Sequence, residues 1–267
     1  MTFIPVADGV LVRTSRRMST TTTLALGPDR AGLLVDPSWD ADELEAIADE
    51  VDGLGVRVAA GFSTHAHHDH LLWHPRYGDV PRWASAGTVR MVREHGEELR
   101  ESLLGRTGSE PSVARPYPDE VLDLFAQVSE VPAPSAGLPD PAGALPATEV
   151  VVHDGHAPGH SALWLPGPRV LLAGDMLSDE ELPLPLDPDD LPAYVEALDR
   201  LRPYVGAAVV LVPGHGTPSY SPAERLDADR RYLDAVLAGE DPDDPRRANP
   251  GMAEVHERVV RLAAELR

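Results

Sequence analysis

Residues 64–70 read Thr-His-Ala-His-His-Asp-His, and no other stretch constrains this 267-residue chain as tightly. The imidazoles of His65, His67 and His70 and the carboxylate of Asp69 crowd one short turn and do nothing to build a core. Neutral imidazole nitrogen and carboxylate oxygen are the ligands that zinc and similar divalent metals take. A loop that bunches them either binds metal or carries polar groups with no obvious partners. A solvated, His-rich surface turn is the competing reading.

Matching groups recur downstream. Gly159-His160-Ser161 follows the run Val150-Val151-Val152, Gly174-Asp175 follows Val170-Leu171-Leu172-Ala173, and Gly214-His215-Gly216 follows Val209-Val210-Leu211-Val212. Each short apolar run reads as a buried strand that leads into a Gly-flanked His or Asp. The first motif does the same after residues 56–61. Ligands leaving the ends of several strands can converge on one rim, where glycine permits a sharp turn close to a metal.

The pattern His-x-His-x-Asp-His, then His, Asp and His, resembles the metallo-β-lactamase-fold hydrolase superfamily, with a glyoxalase II- or lactonase-like ligand set. The resemblance runs from the strands near residue 10 to His215 and the helices beyond. It implies an α/β fold, an αββα sandwich of two mixed β-sheets flanked by helices. It also implies that His65, His67 and His160 bind a first metal, that Asp69, His70 and His215 bind a second, and that Asp175 bridges them. His160 is preferred to His156 because it matches the family's Pro-Gly-His element.

Seven ligands are too many for one tetrahedral zinc and suit two ions that share a carboxylate and a water. Two metals about 3.5–4 Å apart lower the pKa of a bridging water, polarise a carbonyl and stabilise a leaving oxygen or sulfur. The expected cofactors are two divalent ions, zinc first, with iron or manganese as alternatives. The bridging hydroxide would be the nucleophile, and Asp69, the candidate catalytic residue, would orient it and carry a proton to the leaving group. The chain has no Cys and no Lys, which excludes thiol and Schiff-base catalysis.

The formal charge of −21 disfavours a nucleic-acid partner. The N-terminus has no basic start followed by an apolar core, and no stretch reaches the apolar length of a membrane span. These features suggest a cytoplasmic protein with a small-molecule substrate and no membrane partner. Residues 1–267 are expected to form one domain, because the ligand motifs span most of the length.

Residues 9–13, 20–26 and 32–35 read as strands. Asp40-Ala41-Asp42-Glu43 resembles a capping box opening a helix with Leu44, Ile47 and Val51 on one face. A strand over 57–61 delivers the His motif. Residues 86–128 read as two helices broken near 105–118. Residues 131–147, rich in Pro, Ala and Gly, read as a loop, either a linker between the two halves or an active-site lid. Strands follow near 149–152, 162–165 and 170–173. A helix over 191–202 aligns Leu191, Val195, Leu198 and Leu201, and a strand over 207–212 ends at His215. Ser221-Pro222-Ala223-Glu224 opens a helix that stops near Gly239, and a last helix from about 251 buries Val255, Val259, Leu262 and Leu266.

Among the other polar residues, Asp36 ends a strand and is placed either to support a metal-binding imidazole or to cap a turn. His68 is expected to point away from the metals, and His153, His95 and His256 to be structural or exposed. Trp73, His74 and Tyr77 follow the motif where many relatives have a Gly-Gly pair. They are candidate substrate-binding groups, with aromatic core packing as the alternative for Trp73 and Tyr77 and a surface histidine as the alternative for His74. The function expected is hydrolysis of an ester, lactone or thioester. A mononuclear iron dioxygenase of the persulfide-oxidising kind and a metal-stabilised binding protein are the alternatives.

Overall fold

Runs of β-branched and other apolar residues pair into two mixed sheets in the computed structural model, which describes residues 2–105, 117–185 and 190–267. The first sheet holds seven strands in chain order: β1 (Ile4–Ala7), β2 (Val10–Thr14), β3 (Thr21–Leu26), β4 (Ala31–Val35), β5 (Arg57–Phe62), β6 (Arg82–Ala84) and β7 (Ser129–Glu130). Its first four strands are antiparallel and the rest join in parallel. The second sheet holds β8 (Glu149–Val152), β9 (Ser161–Leu165), β10 (Val170–Gly174) and β11 (Val210–Pro213). Here β8, β9 and β10 are antiparallel and β11 runs parallel to β10.

Strand periodicity explains the layers. Leu33 and Val35 face the inter-sheet core with Val10, Val12 and Phe62, and they meet Leu163, Leu165, Val170 and Leu172 of the second sheet. The alternate residues Leu24, Leu34 and Val58 pack outward against Ile47, Ala48 and Val51 of α1 (Ala41–Gly53). On the far side Leu171, Ala173 and Leu211 pack against α4 (Asp190–Ala207), α5 (Pro222–Ala238) and α6 (Met252–Glu265). The central strands are covered on both faces, which is why they read as continuous apolar runs and not as alternating ones. Two further helices, α2 (Ala86–Leu103) and α3 (Asp119–Leu124), complete the α1 side around Leu71, Leu72, Leu103 and Phe125. The expected αββα sandwich is what forms.

The structure departs from the sequence reading in several places. Neither Asp40 nor Ser221 makes a side-chain cap bond. Glu43 is buried instead, accepting from the Ser15 hydroxyl and the Arg16 N–H, so the reciprocal box cannot close. The α4 helix passes through Pro203 to Ala207, where burial of Leu201 and Val205 outweighs the lost backbone bond. Leu266 follows the end of α6 and is 44% exposed. The short strands β1, β6 and β7 carry no clear apolar alternation. Part of the expected break between the helices of 86–128 lies outside the described residues.

The 131–147 segment is anchored in the core between the sheets by Val131, Leu138 and Leu145. Its turn is held by Asp140, which accepts from the Ala144 and Leu145 N–H groups at 2.9 Å each. Among the described residues no helix is long and apolar enough to cross a membrane.

One rim of the sandwich collects the chemistry. Strands β4, β5, β8, β10 and β11 all end there, and β3 begins there: Thr21 N–H donates to the Gly214 carbonyl at 2.7 Å, and Thr20 bridges to His215. This contact ties the two sheets together beside the last of the expected ligands.

Candidate metal centre

Two clusters of ligand-type side chains lie on this rim. His65, His67, His156 and Asp175 form one, and Asp69, His70 and His215 the other, with the potential ligand atoms of each within 4.8 Å of one another. The first turn after β5 supplies His65, His67, Asp69 and His70. The β8–β9 hairpin supplies His156, the end of β10 supplies Asp175 and the end of β11 supplies His215. Asp175 stands between the clusters. Its Oδ2 is 3.3 Å from His65 Nε2 and 3.3 Å from His215 Nε2, and its Oδ1 is 3.2 Å from His70 Nε2. Asp69 Oδ2 lies 3.3 Å from the Nε2 atoms of both His70 and His215.

The surroundings decide which ring nitrogens carry hydrogen. Asp36 Oδ2 accepts from the Thr64 hydroxyl at 2.7 Å, so that hydroxyl's oxygen is left to accept from His65 Nδ1 at 3.0 Å. The same carboxylate faces His70 Nδ1 at 3.0 Å. The Met18 carbonyl, which can only accept, faces His215 Nδ1 at 2.8 Å. His65 and His215 therefore hold their Nδ1 hydrogens on these acceptors, and all three rings turn Nε2 toward Asp69 or Asp175, the arrangement that orients metal-binding imidazoles. His65 Nε2, both ring nitrogens of His70 and Asp175 Oδ1 are buried without hydrogen-bond partners. Ring nitrogens and carboxylate oxygens brought this close without hydrogen bonds between them fit bound metal ions.

The electrostatics describe the same need. Burial drags His70 and His215 down, but the facing carboxylates, Asp175 foremost, outweigh it and lift both well above the ordinary imidazole value. Burial would raise Asp69 and Asp175, yet the neighbouring imidazoles, His70 foremost, hold both well below the usual carboxylate range. Burial lowers His65 to about 4, only partly offset by Asp175, and it drives His67 well below its normal value. These two rings are neutral at neutral pH and ready to coordinate.

The expectation for His160 is corrected here. Its Nε2 accepts from the Asp175 backbone N–H at 3.0 Å, so its lone pair is already used, and it falls outside both clusters. Gly174 makes this contact possible: its φ is +57°, and a Cβ there would stand 2.4 Å from His160 Nε2. His156 stands in the first cluster instead. It adopts φ +71°, and its Nε2 lies 3.4 Å from Asp175 Oδ2 and 3.2 Å from His67 Nδ1. With both histidines four residues apart in one glycine-bearing hairpin, only the loop conformation separates them. Gly159 fastens that conformation: its N–H donates to Asp154 at 2.8 Å, and its carbonyl accepts from the Ser85 and Thr88 hydroxyls.

The candidate substrate-binding trio lies away from both clusters. Trp73 and Tyr77 pack edge to face, with ring centroids 5.0 Å apart, in the core beneath α1. His74 is buried, bonded to Glu45 at 2.8 Å and accepting from Arg76 N–H. Trp73 and Tyr77 lie on the α1 side of the first sheet, and His74 is tied to that side through Glu45 of α1. His68 turns toward Trp39, with ring centroids 5.4 Å apart, and joins neither cluster. Asp36 supports a site imidazole. Nothing in sequence pointed to the Met18 carbonyl, since any residue type presents one.

His153 stacks on His160 at 4.7 Å and is almost fully buried, which pushes it down to about 3. In the unfolded chain it titrates near about 6.5. Unfolded molecules therefore bind this proton more readily, and stability is lost as pH falls below about 6.5 toward 3. Between pH 7 and pH 5 the loss from this residue is about 2 kcal/mol. Urea unfolding at saturating metal should show a shallower pH dependence for His153→Asn over that interval. An unchanged slope would mean that His153 does not titrate with folding.

Comparison with known proteins agrees with this geometry. Residues 16–215 match the profile of the metallo-beta-lactamase superfamily. No curated protein matches the chain. A metallo-beta-lactamase family protein from Thermus thermophilus is similar in structure, with a TM-score of 0.65 at 22% identity, over 88% of this chain and 82% of that one. A beta-lactamase domain protein from Burkholderia ambifaria aligns with a TM-score of 0.62 at 21% identity, over 89% of this chain and 75% of the other. A metallo beta lactamase from Erythrobacter litoralis, solved with beta mercaptoethanol in its active site, aligns with a TM-score of 0.60 at 17% identity, over 86% and 96% of the two chains. With the two sheets, the rim of histidines and carboxylates and the profile all in agreement, this chain belongs to the metallo-beta-lactamase superfamily.

Proposed function

We propose that the chain is a dinuclear metal-dependent hydrolase that cleaves an ester, lactone or thioester of a small molecule. The observation that carries this reading is the position of Asp175 between the two clusters, within 3.2–3.4 Å of ring nitrogens from both. His65, His67 and His156 would hold one ion, Asp69, His70 and His215 the other, and Asp175 would be shared. Two such ions supply an activated water and charge to stabilise a leaving oxygen or sulfur.

The protein's own groups do the rest. Asp36, Thr64 and the Met18 carbonyl hold the imidazoles in register, so little reorganisation accompanies reaction. Asp69 is kept ionised, can accept a hydrogen bond from the attacking water, and can pass its proton to the departing group. His160 fixes the backbone of Asp175.

Elemental analysis of protein purified without chelator should find close to two zinc, iron or manganese ions per chain, with hydrolysis on an ester, lactone and thioester panel. Asp69→Ala should lower that hydrolysis by about 10²–10⁴-fold while the far-ultraviolet spectrum is retained. Full activity in that variant, or one iron per chain with oxygen consumption on a persulfide, would overturn the proposal.

A further inference from the structure

A cavity of about 900 Å³ opens on the α1 side of the first sheet, between the turn at residues 73–82, α2 and the end of α3. Trp73, Val80, Val89, Val92 and Leu124 supply apolar wall. Arg82 is the polar group set deepest in it. Gly61 lies beside Arg82 in the sheet, and a Cβ there would come 2.5 Å from Trp73 and 3.2 Å from Arg82 Cγ, so its absence lets both side chains close over the strand. The guanidinium carbon then sits 5.5 Å from the Trp73 ring centroid.

The charge of Arg82 is poorly compensated. Its hydrogen bonds go to neutral acceptors, the Leu124 carbonyl at 2.6 Å and Gln127 Oε1 at 3.3 Å. Burial lowers it to about 10, and the acidic group whose charge reaches it is Asp79, exposed on the rim. Arg93, also exposed, adds a second positive charge at the rim. A half-buried guanidinium on an aromatic face is suited to a planar carboxylate, and it stands out in a chain of net charge −21. The volume falls within the range of small-molecule sites, about 300–1,000 Å³.

We infer that this cavity is a second binding site, separate from the metal rim, for a small amphipathic carboxylate whose anionic head pairs with Arg82 and whose apolar body lies against Trp73, Val89, Val92 and Leu124. It goes beyond the hydrolytic reading and does not depend on it.

Titration calorimetry of the metal-loaded protein with decanoate tests the site. The expected result is saturable binding that weakens about tenfold or more in Arg82→Met, and by a similar factor when decanol replaces decanoate. Val92→Trp leaves Arg82 in place and crowds the apolar wall, and it should also weaken binding about tenfold or more. It decides the matter if Arg82→Met fails to fold. Binding should survive removal of metal by chelator. No binding by the unaltered protein at millimolar decanoate, wild-type affinity in folded variants, or loss of binding with the metal would each overturn the inference.

Discussion

Replacing His156 by alanine is expected to remove about one metal equivalent per chain and to lower hydrolysis by about three orders of magnitude or more, as loss of a direct ligand should. His160→Ala is expected to behave differently. That ring contributes a hydrogen bond to the Asp175 N–H and a stack on His153, so its loss should cost about 10–100-fold in metal affinity or activity with both ions still bound at saturation. Metal content measured after dialysis against buffered zinc, beside kcat on the best substrate, separates the two. If His160→Ala sheds an ion and His156→Ala does not, the hairpin assignment is reversed.

The second large effect lies behind the site. Arg246 is buried and ties the segment after Asp175 to the helical layer: its Nη1 donates to the Ser178 and Glu181 carbonyls at 3.0 Å each and to Asp229 at 2.6 Å, and its Nη2 donates to Asp244 at 2.8 Å. Asp229 also accepts from Leu177 N–H at 3.2 Å. Burial pushes Asp229 up, and the guanidinium opposes that. Arg246→Met leaves this carboxylate without its cation and two carbonyls without a donor. Removing one partner of a buried pair costs about 3–5 kcal/mol, which at about 2–4 °C per kcal/mol for a chain near this size lowers Tm by about 10 °C. Arg246→Met with Asp229→Asn should recover part of that loss. A Tm within a degree or two of the parent for the single variant would show that the cluster does not hold the segment.

Both effects depend on tertiary placement, and they mark how far the residues could be read beforehand. The strands that carry the rim were legible because each is a short apolar run ended by glycine, and fully covered strands are the ones whose composition is least ambiguous. The short strands β1, β6 and β7 were not, since strands this short need few apolar side chains. The cap at Asp40 failed for a tertiary reason: Glu43 is drawn away by Ser15 and the Arg16 N–H, partners some thirty residues distant in the chain.

The sequence alone determined the sandwich, the strand ends that deliver ligands, and six of the side chains gathered in the two clusters: His65, His67, Asp69, His70, Asp175 and His215. Spacing suffices there because a strand end allows little freedom in where the next few residues go. Tertiary structure decided the rest. It chose His156 over His160 through a left-handed residue and a hairpin fastened to α2, and it set Trp73, His74 and Tyr77 on the far face of the sheet. Left-handed backbone at a non-glycine residue and the side of a sheet that a turn delivers are settled by contacts with distant elements, which local residue order does not contain.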